Sequence, residues 1–160
     1  MSWAVINLCE ELKARVEKAI LSGSLVCKDV FVGDFEQIRN PNDYPICVII
    51  PASIRSNAKC MRHGITDITT INIVYIFNKL ALADNKIYKT TDATGILYNL
   101  AIILNYLEKK TSDGSVDLTI NAKTDNLFNY NISFDYGSND IIKAVISFEA
   151  QTTQYIRAAR

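Results

Sequence analysis

A chain of 160 residues, 49% hydrophobic and 21% charged, suits one core without a second domain, because a chain this long buries about 70% of its unfolded surface. Seventeen basic side chains balance seventeen acidic ones, which removes the bulk attraction that nucleic acid or an anionic membrane needs. Sequence-specific nucleic-acid binding and membrane association are therefore not expected, a basic tail being the one local exception.

The chain opens MSWAVINLCEELKARVEK, with no basic leader ahead of an apolar run, so a cytoplasmic location is expected. Its longest apolar stretch, residues 96–107, is broken by Asn99 and Asn105 and falls short of the roughly 18 to 20 residues that span a bilayer. Cys9, Cys27, Cys47 and Cys60 are scattered and are expected to be reduced, mostly buried thiols rather than a disulfide framework.

Ser2 is placed to cap a first helix whose apolar stripe is Ile6, Cys9, Leu12, Val16 and Ile20, ended by the SGS of residues 22–24. Glu10, Glu11, Lys13, Arg15, Glu17 and Lys18 fall on its wet face. Residues 25–35, rich in Val and Phe, read as a strand, and RNPNDYP at 39–45 reads as a turn. ICVII at 46–50 is a short strand, apolar on both faces, that Pro51 ends, and residues 52–66 form a long loop.

The clearest strand follows at 65–79, with Ile71, Ile73, Tyr75 and Phe77 on one face and Thr70, Asn72, Val74 and Ile76 on the other. A second helix, capped within residues 90–92, carries the stripe Ile96, Leu97, Leu100, Ile103, Leu104 and Leu107. Lys109 and Lys110 suit the negative end of its dipole. Three further strands are expected, at 116–122, 128–136 and 142–150, joined by the turns TDN and YGSND. The whole reads as a single α+β domain, 1–160: an antiparallel or mixed sheet of five to six strands with both helices on one face. Residues 151–160, AQTTQYIRAAR less its first residue, are expected to form a C-terminal arm, either frayed or docked on a neighbour.

Chemistry is sparse. NAKCMRHGITD, residues 57–67, holds His63, the chain's one histidine, three residues after Cys60 and beside Arg62. Structural zinc takes four converging ligands, and this segment supplies two at most, with no CxxC or second histidine to complete them. A Cys–His nucleophile needs an orienting group that adjacency in a loop rarely provides, although Arg62 would lower the thiol pKa. Six glycines include no phosphate-binding arrangement. Asp113, Asp117, Asp125, Asp135 and Asp140 sit in or beside separate turns, where Asp serves backbone geometry. Phe128, Tyr130, Phe134 and Tyr136 lack interleaved basic residues and are expected as a sheet face under a helix, not as an RNA platform. No catalytic residue, metal site or cofactor is assigned.

The order of the elements, an N-terminal helix, DVFVGDF, a turn, PICVIIP, TTINIVYIF, GILYNLAIILNYL and a late KAVISFEAQ, resembles that of the tail terminator, or tail completion, proteins of long-tailed bacteriophages and tail-like particles. The resemblance spans nearly the whole chain and rests on order and pattern. It implies a non-enzymatic virion subunit that forms a ring, commonly a hexamer, on the last ring of the tail tube, stopping tube growth and offering a surface for the head. Implied partners are other copies of itself, the tail tube protein, and sheath and head–tail connector proteins. The implied location is the host cytoplasm during assembly and the tail or neck of the finished particle. Closed rings join one patch to a different patch on the next copy, so the basic loop residues Arg55, Lys59, Arg62 and His63 and the arm residues Tyr155, Ile156 and Arg157 are the expected contacts. Another connector or neck subunit, and a small enzyme using Cys60 and His63, are the alternatives.

Overall fold

The computed structural model describes residues 3–33, 45–57, 64–78, 95–108, 130–135 and 141–155. Two helices, α1 (Trp3–Leu21) and α2 (Ile96–Glu108), accompany five strands: β1 (Asp29–Val32), β2 (Ile46–Asn57), β3 (Gly64–Asn78), β4 (Asn131–Asp135) and β5 (Ile141–Tyr155). The strands form one sheet in the order β1-β2-β3-β5-β4. β1 runs parallel to β2 and every other pair is antiparallel, so the sheet is mixed and the class is α+β.

α1 ends where local chemistry stops it. After α1, Gly23 takes a φ of 75°, and its N–H and that of Leu25 donate to the carbonyls of Ile20 and Ala19. This left-handed residue past the last turn closes off carbonyls that the helix leaves open. The cap expected for α2 at residues 90–92 lies outside the described residues, as do the strand expected at 116–122 and the turns TDN and YGSND.

Alternation along β3 does what its sequence requires. Ile71, Ile73, Tyr75 and Phe77 join α1, α2, Cys47, Ile49, Ile142, Ala144, Ile146 and Phe148 in the main core. On the other face Val74 and Ile76 meet Ile46 and Val48 in a smaller buried cluster that contains no helix residue. Both helices therefore lie on one face. Each fully buried Ile or Leu in the main core, Leu12 and Ile49 among them, contributes roughly 1.5 to 3 kcal/mol of transfer free energy.

Several expectations are corrected. The buried stripe of α1 is Val5, Leu8, Cys9, Leu12, Val16 and Ala19, with Ile6 and Ile20 only half-buried. Arg15, placed on the wet face by its charge, is 7% exposed, because both of its neighbours along the stripe face the core. The first strand covers four residues rather than eleven within its described part. Pro51 does not end β2: the ladder shifts between Pro51 and Ser53 and continues to Asn57. A bulge of this kind lets an edge residue without an N–H sit in a strand.

As a result, the loop expected at 52–66 shrinks to the connection 58–63, which lies outside the described residues. β5 likewise runs to Tyr155, so the first five residues expected as an arm are paired strand, and 156–160 lie outside the described residues. The aromatic face expected over 128–136 lies on the helix side of the sheet, opposite Ala144 and Ile146 of the main core, but is only partly covered where it is described. Tyr130 and Ile132 are exposed and only Phe134 packs against the core, because β4 pairs only with β5 among the described strands.

Candidate functional site

The described part of the candidate site is one end of the sheet. β3 pairs with β2 as far as Thr66 opposite Asn57, and with β5 as far as Gly64 opposite Tyr155. The β2–β3 turn and the tail end of β5, almost a hundred residues apart in sequence, thus leave the sheet at the same end. Of the expected contact residues, Arg55 is described and exposed. The backbone of Tyr155 lies in β5, while Lys59, Arg62, His63, Ile156 and Arg157 lie outside the described residues.

Arg55 is held in the ladder opposite Ile68. Ala52, Ser53 and Ile54 beside it are exposed as well, so β2 leaves the covered part of the sheet soon after the bulge. Two residues on the far side of β3, Glu149 is also exposed, opposite Thr70. Its position was not singled out by sequence; the signal available was its place as the one charged residue in KAVISFEAQ after Lys143.

The described thiols are poor nucleophiles. Burial pushes the Cys27 thiol up to about 12, although its Sγ–H donates to the Asp29 carbonyl at 3.1 Å. Burial also raises Cys9, helped by Glu10, and raises Cys47, helped by Cys27. A reactive cysteine needs the opposite shift, so all three, free of disulfides, behave as core residues. Cys60, the thiol of the enzymatic alternative, lies outside the described residues.

The buried polar groups mostly serve the fold. Arg15 bonds to the Leu107 carbonyl and pairs with Glu11 at 3.0 Å. Asn99, 1% exposed, accepts from the Val26 N–H at 3.0 Å and donates to the Gly95 carbonyl at 2.8 Å. The Tyr75 hydroxyl donates to the Val26 carbonyl at 2.6 Å, and burial first, then Cys27 and Cys47, raise its pKa. Thr69 Oγ1 is buried without a partner. Among the described residues no group of three His, Cys, Asp or Glu side chains could hold a metal ion, and no helix is long and apolar enough to cross a membrane.

What the described residues offer here is a surface, with an exposed cation, Arg55, and an exposed anion, Glu149, on either side of β3. A scan against protein-family models finds none that matches the chain, and a search of curated proteins finds no match either.

Proposed function

We propose that the chain is a structural subunit of a long-tailed phage or tail-like particle, a tail terminator that forms a ring on the last ring of the tail tube, ends tube growth and offers the head-joining surface. The observation that carries this reading is the element order, α1 followed by three strands, α2 and a late long strand, the order on which the sequence resemblance rests. Two features support it. The described titratable groups in the core serve packing and hydrogen bonding, as a subunit without chemistry of its own requires. Three strands of 12 to 15 residues outrun the rest of the sheet and give a stiff element for contact with neighbours.

Electron microscopy of particles assembled without the chain tests it. A terminator's absence gives tubes of uncontrolled length. Tails of normal length that lack heads would reject the terminator reading in favour of a head-side connector. The enzymatic alternative has its own check: Cys60 would react with an alkylating reagent faster than free cysteine, and Cys60→Ser would abolish function.

A further inference from the structure

β2 and β5 flank β3, and since both are antiparallel to it they run parallel to each other. Each outruns its outer neighbour. β1 pairs with β2 only at Ile46, Cys47, Val48 and Ile49, and β4 pairs with β5 only from Lys143 to Ser147. Beyond those points no described strand covers either outer edge. Arg55 lies on one of these edges and Glu149 on the other, both exposed.

The ladder also sets them on one face. Arg55 is opposite Ile68 and Glu149 opposite Thr70, and residues two apart on β3 share a face. It is the face of Val74 and Ile76, away from the helices. The ion pairs among the described residues are Lys13–Glu17 and Glu11–Arg15, so neither Arg55 nor Glu149 is engaged in one there.

We infer that copies of this chain associate head to tail through these two edges, with Arg55 of one copy against Glu149 of the next. The inference rests on the ring reading proposed above and assigns its contact. A closed ring needs two different, complementary patches on the same chain, and opposite charges on opposite edges of one ribbon are such a pair. Because β2 and β5 run the same way, a rotation about an axis inclined to the strands turns the free end of β5 in one copy, past β4, toward the free end of β2 in the next, past β1. The shared face then carries both charges, Arg55 at one edge and Glu149 at the other.

Arg55 and Glu149 stand two residues apart along the ladder, about 7 Å. A sheet that closes on itself must stagger each strand against the next, and a stagger of that size brings the charges together. Pro51 and the bulge at Ser53 break the edge next to β1 and discourage indiscriminate strand addition. Selectivity then falls to the charged pair, which sets partner and register more than affinity. A chain with no net charge meets no global repulsion when it assembles.

The test uses the full chain in sedimentation and native mass spectrometry at low salt. The wild type should form a ring. Arg55→Glu and Glu149→Arg, both at exposed positions and expected to leave circular dichroism unchanged, should each raise the concentration needed for assembly by about tenfold or more. The double variant R55E/E149R should assemble again. So should an equimolar mixture of the two single variants, as rings in which they alternate; a mixture that stops at a dimer would mean reciprocal two-fold pairing and would overturn the head-to-tail contact. A wild-type chain that stays monomeric at high concentration overturns the inference. Single variants that assemble as wild type, or a double variant no better than the singles, also overturn it, yet leave the ring reading standing. Tails of normal length without the chain would reject the terminator reading whatever contacts the ring uses.

Discussion

The guanidinium of Arg15, midway along α1, donates a hydrogen bond to the backbone carbonyl of Leu107 in the last turn of α2. The last carbonyls of a helix have no partner within it, and here one is served by a cation from another element, which also suits the negative end of the dipole. Glu11, one turn earlier on α1, pairs with the same guanidinium at 3.0 Å. Arg15→Met keeps the length of the side chain but leaves the carbonyl without its donor and Glu11 without its cation. It is expected to cost about 2 to 3 kcal/mol, read as a lower urea midpoint with an unchanged m-value. Glu11→Gln should cost less than about 1 kcal/mol, because the Glu11 side chain is 26% exposed.

The peptide units around Val26 form a second clasp. Asn99 of α2 takes the Val26 N–H and Tyr75 of β3 binds its carbonyl, so the segment between α1 and β1 is held to both layers at one residue. Tyr75→Phe preserves the buried ring and removes only the hydroxyl, at an expected cost of about 1 to 2 kcal/mol. Asn99→Ala leaves the Val26 N–H unpaired as well as a cavity, at about 2 to 3 kcal/mol. The double variant should lose less than the sum, by about 0.5 kcal/mol or more, since either change alone frees the segment that both side chains hold. A thermodynamic cycle from urea melts measures that difference, and strict additivity would show that the two bonds act independently.

How far these features were legible follows from the range over which each signal acts. The two faces of β3 were readable because alternation is local: Ile71, Ile73 and Tyr75 fall on one side and Val74 and Ile76 on the other. Arg15 and Asn99 were not, because a hydrophobic stripe counts apolar residues, and a buried polar one shows only once its distant partners Leu107 and Val26 are in place. Pro51 reads as a stop, and the bulge that carries the strand past it leaves no mark in composition. Arg55 was visible as a basic residue in a polar stretch. Glu149 became its counterpart only through the pairing of β3 with β5, a relation between segments almost eighty residues apart.

Alkaline pH should unfold the chain earlier than acid-base balance alone would suggest. Cys27 titrates near 12 in the folded state against an ordinary 9.0, and burial raises Cys47 and Tyr75 as well. For each of these groups the unfolded state releases its proton first, so stability falls as pH rises. The contribution is fully present below pH 9 and is lost progressively between 9 and 12 for Cys27. Urea midpoints should therefore change little between about pH 7 and 8.5 on account of these groups and fall steeply above pH 9. Cys47→Ala should flatten that fall, while lowering the neutral-pH midpoint through the cavity it leaves.

The turn after α1 gives a case in which backbone and packing effects separate. Gly23 has a φ of 75°, and a Cβ built there meets nothing within 4 Å. Any penalty for a side chain is therefore backbone strain, not collision. Its N–H is already committed to the Ile20 carbonyl, so the chain cannot relax to a negative φ without giving up the cap. Gly23→Ala is expected to cost about 1 kcal/mol and Gly23→Val more, since a β-branched residue is least at ease in the left-handed region. Gly23→Asn should cost distinctly less than either, because Asn visits that region more readily. In thermal melts about 1 kcal/mol corresponds to roughly 2 to 4 °C for a chain of this size. The order Asn, Ala, Val from least to most destabilising is the outcome to look for; a loss that followed side-chain volume alone, with Asn worse than Ala, would mean that packing, not φ, governs this turn.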